Sequence, residues 1–250
     1  MPSHDQAGGD DDIVIVIPAR LKSSRLPEKP LADIGGKPMV VRTYERALGV
    51  MPRDRIYVAT DSEKIAGICE SHGCRVVMTS PDCLTGTDRV AEFAQAVPAR
   101  TYVNLQGDEP GMPGGNIQAI IDAARAYPDE VINGWAWIGS EADFVSPNVP
   151  KVVIREDGSL MYMSRAPIPG SKSREFLFGR RQVCVYAFPK AALEAFASRR
   201  KKAEHEDVED IEILRFVEMG VGVRMLELDS NFISVDTPED LEKARQALVS

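Results

Sequence analysis

The sequence predicts an α/β fold on a doubly wound, mostly parallel sheet, and three features carry that prediction. Residues 13–17, Ile-Val-Ile-Val-Ile, are apolar without alternation, the pattern of a strand covered on both faces. From there to residue 126, strand-like and helix-like runs alternate with short turns, as parallel strands joined by right-handed helical crossovers do. From residue 131 the texture becomes strand-rich before helices return, which predicts an inserted antiparallel layer.

Residues 1–11 lack periodicity and cluster acids, so they read as a mobile tail, with 12–250 as one domain. A chain of 250 residues, 44% hydrophobic, is long enough for one well-buried core. After the strand at 13–17, apolar spacing predicts a helix at 39–48, a strand at 55–59, a helix at 62–71 and a strand at 75–78. A helix at 87–96, a strand at 101–105 and a helix at 115–126 complete the first half. In the second half, 131–138 is strand-like, 151–154 and 160–163 flank Glu-Asp-Gly-Ser as a hairpin, and 182–188 is a further strand. Helices follow at 191–198 and 209–219, then a strand at 223–228. A last helix starts at Thr237-Pro238, where Thr serves as N-cap and Pro as first helical residue.

Composition excludes several classes of function. The net charge of −8 argues against a nucleic acid or anionic membrane as partner, because such surfaces are bound by a basic face that releases counterions. No apolar run approaches a bilayer span, and the acidic N-terminus does not resemble a secretory signal, so a cytoplasmic location is expected. Cys69, Cys74, Cys83 and Cys184 lack C-x-x-C spacing and read as reduced structural thiols. His4, His72 and His205 are scattered, and none is placed as a general base. The run 199–210 around His205 reads as a solvated helical face. A mechanism of positioning and metal electrostatics fits this chain better than a Ser-His-Asp or Cys-His scheme.

The chemistry-bearing residues cluster after strands. Arg20, Lys22, Arg25 and Lys29 follow the first strand, where an open α/β sheet binds its ligands, and four cations there suit a nucleoside triphosphate. Asp108 follows the strand at 101–105, either as a Mg²⁺ ligand or as a cap for the next helix. Asp236 has the same two readings, and a metal between the two carboxylates explains both. Thr85-Gly-Thr-Asp-Arg89 is a hydroxyl-rich turn, suited to a base or sugar and equally to an N-cap. Trp135 and Trp137 alternate along a strand and point to a core or subunit contact. Neither G-x-G-x-x-G nor G-x-x-x-x-G-K-[ST] occurs, which disfavours a dinucleotide binder and a P-loop NTPase.

Six segments occur together in one order: Ile17-Pro-Ala-Arg-x-x-Ser-Ser-Arg-Leu-Pro-x-Lys-Pro-Leu31, Val58-Ala-Thr-Asp61, Thr85-Gly-Thr-Asp-Arg89, Asn104-Leu-Gln-Gly-Asp-Glu-Pro110, Met163-Ser-Arg-Ala-Pro-Ile-Pro169 and Val235-Asp-Thr-Pro-Glu-Asp-Leu241. In them the chain resembles the CMP-KDO synthetases (3-deoxy-manno-octulosonate cytidylyltransferases). The resemblance implies a CTP-dependent cytidylyltransferase with a Rossmann-like sheet, an antiparallel dimerisation region, a homodimer and a Mg²⁺ requirement. It places Arg20, Arg25 and Lys29 on the triphosphate and Ala19, Thr85, Arg89 and Gln106 around the cytidine. Asp108 and Asp236 would ligate Mg²⁺.

On the acceptor side the resemblance implies Arg165, Gln182, Tyr186 and Glu212. Gln182, Cys184 and Ile213 stand where the family has His, Gly and Gln, and unpaired sugar hydroxyls weaken a fit. The acceptor is therefore KDO, a related sugar acid or a small phosphonate. A catalytically silent nucleotide binder is the rival from another class. A sugar-1-phosphate nucleotidyltransferase lacks its Gly-rich entry loop here.

Overall fold

The structure is a computed structural model and describes residues 12–21 and 26–249. The tail expected at 1–11, Lys22 and Arg25 lie outside the described residues. In β1 (Ile13–Ala19) every residue is buried. Ile13, Ile15 and Ile17 enter one apolar cluster while Val14 and Val16 enter another, so the unbroken apolar run reflects a core on each face.

Next come α1 (Met39–Leu48), β2 (Ile56–Thr60), α2 (Glu63–Ser71), β3 (Val76–Met78), α3 (Gly86–Ala96), β4 (Thr101–Leu105) and α4 (Gly114–Ala126), within one residue of the predicted bounds. Then follow β5 (Val131–Trp137), α5 (Glu141–Val145), β6 (Lys151–Ile154), β7 (Leu160–Ser164), β8 (Arg180–Pro189) and α6 (Lys190–Ser198). The chain closes with α7 (Glu204–Glu209), α8 (Ile213–Glu218), β9 (Val223–Glu227) and α9 (Pro238–Val249).

The main sheet has the order β3-β2-β1-β4-β8-β5-β9. Parallel pairs join β1 to β2 and β4, β2 to β3, and β5 to β9. Strand β8 is antiparallel to both β4 and β5. The expected antiparallel segment shares the main sheet: β8 runs through its middle, and the β6–β7 hairpin pairs with β8 at the side. The reason is that β8 is apolar on both faces. Val183, Val185 and Ala187 join one core cluster and Tyr186 and Phe188 the other, a pattern that only a central strand satisfies. A bulge between Asn133 and Gly134 adjusts the register, and Asn133 Nδ2 donates to the Val183 and Val185 carbonyls at 3.0 Å each.

The helix expected at 209–219 is confined to 213–218 (α8), and α7 is a separate helix that ends at Glu209. Asp210 takes a left-handed conformation (φ 49°) and turns α7 back against α8. The fold-back is tied by Arg215, whose Nε and Nη2 donate to the Glu206 carboxylate at 2.6 Å each. The run 199–210 is therefore not wholly a solvated face, since Glu206 is fully buried.

From β1 the chain winds outward through β2 and β3, then crosses to β4 on the other side. That reversal leaves a crevice beyond the carboxyl ends of β1 and β4, where open α/β sheets bind ligands.

Candidate active site

The crevice opens into a cavity of about 660 Å³, lined by Ala19, Arg20, Lys29, Thr85, Gly86, Arg89, Gln106, Asp108, Glu212 and Asp236 among others. Its floor depends on a close backbone approach: a Cβ on Gly107 would lie 2.9 Å from the Pro18 carbonyl oxygen. Helix α1 holds the same loop, with Thr43 Oγ1 donating to the Gly107 carbonyl at 3.2 Å and Arg46 Nε to that of Pro110 at 2.9 Å.

Lys29 begins a 3₁₀ turn preceded by Glu28 in a left-handed conformation (φ 52°), and Lys64 anchors Glu28 at 2.6 Å. Its ammonium donates to Asp108 at 2.7 Å and to Asp236 at 3.0 Å. The two carboxylates meet because Val235 N donates to the Asp108 carbonyl at 3.0 Å and Ser234 Oγ to Glu109 at 2.6 Å. Among the described residues, the caps of the helices that follow come from elsewhere. Pro113 precedes α4 without a side-chain cap bond, and α9 is capped by Thr237 Oγ1 accepting from Asp240 N at 3.2 Å. Asp240 in turn accepts from Thr237 N at 3.1 Å, a reciprocal capping box.

Burial opposes the charge on Lys29, but the facing Asp108 and Asp236 outweigh it and raise its pKa. Burial, followed by the charge of Asp108, pushes Glu109 up to about 8 against the Ser234 hydrogen bond. Burial likewise raises Glu212, although donors from Thr87 and Gly86 oppose it.

One wall of the cavity is the start of α3. Thr85 is its N-cap, accepting from Asp88 N at 3.2 Å and donating to the Asp88 carboxylate at 2.7 Å, so the N-cap reading of this turn holds. Arg89 is only 3% exposed. It donates to Thr79 Oγ1 and lies 3.5 Å from Asp61, so its guanidinium braces the wall from within. Gln106 lies against Gly86, where a Cβ would come 3.2 Å from its Nε2. Glu212 accepts from Gly86 N at 3.0 Å, Thr87 N at 2.8 Å and Thr87 Oγ1.

The structure brings together Ala19, Arg20, Lys29, Thr85, Arg89, Gln106, Asp108, Glu212 and Asp236 around one cavity. Arg165, Gln182 and Tyr186 do not line it. Arg165 donates to the carbonyls of Glu209 at 2.5 Å, Pro147 at 2.8 Å and Asp210 at 3.0 Å. Gln182 donates to Asn133 at 3.0 Å and to the Tyr186 hydroxyl at 3.4 Å. Sequence reasoning missed Glu109, Asp88 and Arg215. The first two lie inside quoted motifs, and Arg215 follows Glu212 at helical spacing, but only the fold reveals their partners.

The sequence profile of the cytidylyltransferase family matches residues 14–227. The chain is 39% identical over 242 residues to a 3-deoxy-manno-octulosonate cytidylyltransferase of Chlorobium limicola, covering 94% of this chain and 96% of the relative. It is 41% identical over 245 residues to the corresponding protein of Polynucleobacter necessarius subsp. necessarius, covering 95% and 96%. A solved CMP:2-keto-3-deoxy-manno-octonic acid synthetase complexed with CTP superposes with a TM-score of 0.88 at 36% identity, covering 95% of this chain and 98% of that one. The fold and crevice thus define a nucleotidyltransferase, and the chain belongs to the cytidylyltransferase family, in its 3-deoxy-manno-octulosonate branch.

Proposed function

We propose that this protein transfers CMP from CTP to 3-deoxy-manno-octulosonate (KDO) and releases pyrophosphate. The observation that carries the reading is the convergence of Arg20, Lys29, Asp108 and Asp236 on one crevice at the switch point of the sheet. Relatives that share nearly the whole chain carry this activity in their names, and one was solved with CTP. An acceptor hydroxyl attacks the α-phosphorus in line. The new O–P bond forms as the bond to the β-phosphate bridge breaks, pyrophosphate leaves and the hydroxyl proton is lost to solvent.

Arg20 and Lys29 face the triphosphate, joined by Arg25 on the reading of the sequence. Ala19, Gln106 and the braced Thr85–Arg89 turn surround the cytidine. Arg165, Gln182 and Tyr186 belong to the acceptor side, and Glu212 joins that side to the nucleotide wall, where it accepts from the Gly86 and Thr87 amides. Asp108 and Asp236 fit a divalent cation: both already point at one cationic atom, the ammonium of Lys29, at 2.7 and 3.0 Å. Among the described residues no third carboxylate, histidine or cysteine completes a cage, which suits Mg²⁺ because it keeps waters and takes substrate phosphates. Bound there, Mg²⁺ neutralises charge on the triphosphate.

A homodimer contact belongs on the aromatic face of the insertion. Trp137, Leu177 and Phe178 are 48%, 70% and 45% exposed, and Arg180 lies over the Trp137 ring at 4.8 Å. A cytoplasmic location accords with four cysteines present as free thiols. No helix among the described residues is long and apolar enough to cross a membrane.

The test is pyrophosphate release from CTP and Mg²⁺ with KDO, its 8-amino analogue, nonulosonic acids and small phosphonates. Turnover with KDO supports the reading. Turnover with another acid alone would replace the acceptor, and CTP binding with no turnover on any would indicate a silent nucleotide binder.

A further inference from the structure

We propose that Arg215 is a positioning residue for the nucleotide wall: with Glu212 on the same helix, it locks the first turn of α3 in the shape that receives CTP. The inference rests on the reading of the cavity as a CTP site. Arg215 has no exposed surface, and its guanidinium lies 3.7 Å from the centre of the Phe196 ring. Besides the two bonds to Glu206, its Nη1 and Nη2 donate to the Asp88 carboxylate at 2.8 and 3.3 Å. Asp88 in turn accepts from the Thr85 hydroxyl, so a relay of bonds runs from the buried arginine to a residue on the cavity surface.

Glu212 works on the same turn from three residues earlier in the chain. Positions i and i+3 share a helix face, and both charged groups therefore meet the start of α3. Glu212 takes the amides of Gly86 and Thr87, while Asp88, held by Arg215, takes the capping hydroxyl. The turn is fully engaged before any ligand arrives. Such preorganisation lowers the ordering cost of binding.

A purely structural role does not explain this choice of residues. Burying an arginine and a glutamate completely carries a desolvation penalty, and apolar residues of similar volume commonly give equal or greater stability. Apolar residues could neither accept from the Ala203 amide, which Glu206 does at 2.9 Å, nor hold Asp88, and of these two tasks the second is the one that reaches the cavity. The pair between Arg215 and Glu206 leaves part of the guanidinium fork free to reach Asp88, 127 residues away in the chain.

The experiment compares wild type, the double variant Glu206→Leu/Arg215→Met and the single variant Asp88→Asn. The double variant removes both buried charges together, so neither is left unpaired. Asp88→Asn keeps the side-chain volume and leaves the Glu206–Arg215 pair intact, so it carries the test if the double variant fails to fold. Calorimetry with CTP is followed by steady-state kinetics for CTP and for the acceptor, and by thermal melts.

The expected result is a roughly 10-fold rise in Kd and KM for CTP, with kcat and acceptor KM within about 3-fold of wild type. Wild-type CTP affinity and KM in the folded variants, whatever their melting temperature, would overturn the proposal. A wild type that binds no CTP would overturn the nucleotide reading itself, a separate outcome.

Discussion

Gly107→Ala is a demanding probe of how the site is built. The glycine lies between the ends of β1 and β4, directly before Asp108. A Cβ there would sit 2.9 Å from the Pro18 carbonyl oxygen, with Ile17 Cγ2 at 3.7 Å and Ala19 Cβ at 3.8 Å. The nearest obstacle is backbone, which has no rotamer to change, so the loop must move by several tenths of an ångström. Overpacking of this kind costs about 1–3 kcal/mol. At about 2–4 °C per kcal/mol for a domain of this size, the melting temperature should fall by roughly 2–12 °C.

The functional effect should exceed the thermal one. Displacing Asp108 also disturbs its 2.7 Å contact with Lys29 and the 3.0 Å bond between Val235 N and the Asp108 carbonyl. Misplacements approaching 1 Å near reacting groups cost on the order of 100-fold, and a fall of about 10- to 100-fold in kcat/KM for CTP is expected. Differential scanning fluorimetry and coupled pyrophosphate release measure the two quantities on one preparation. A variant that melts within 1 °C of wild type and turns over within twofold, on the order of experimental error, would refute the reasoning that this contact sets the site.

Asp108→Asn and Asp236→Asn should each fold normally and lose at least about 100-fold in turnover, because each removes one of two converging anions; full activity in either would remove the metal assignment. Lys29→Met should weaken CTP binding by about 10-fold or more, because it removes the ammonium that Asp108 and Asp236 share, and unchanged CTP affinity by calorimetry would contradict its role on the triphosphate. Trp137→Asp should convert a dimer to a monomer in light scattering at micromolar concentration with little change in melting temperature; a monomeric wild type would sink the dimer proposal. Lys151→Met should lower stability by about 1–3 kcal/mol in urea unfolding. This lysine is fully buried and donates to the Ser146 and Arg165 carbonyls at 2.7 and 2.5 Å, so its loss takes a charged donor from each, and the Ser146 oxygen keeps the Val149 amide at 3.2 Å.

Local pattern disclosed much of this molecule. Alternating apolar periodicity placed α1 and β4 at their observed bounds, and the unalternating 13–17 run marked a strand with a core on both sides. The loop after it, the Thr85–Arg89 turn and the two aspartates were legible as candidates beyond strand ends, each with a structural reading beside the chemical one. Backbone propensity and burial act over a few residues, and those terms can be read from neighbours in sequence.

Tertiary structure decided the rest. Whether Asp108 and Asp236 capped helices or met at one cation depended on Lys29, which lies 207 residues from Asp236 in the chain. The place of β8 between β4 and β5 depended on which faces remained to be covered once the parallel strands had paired. The break at Asp210 came from a buried ion pair that folds α7 onto α8, against the helical spacing of the residues themselves. Each of these outcomes is a competition between distant partners for the same buried space, so no local stretch of sequence contains the terms that settle it.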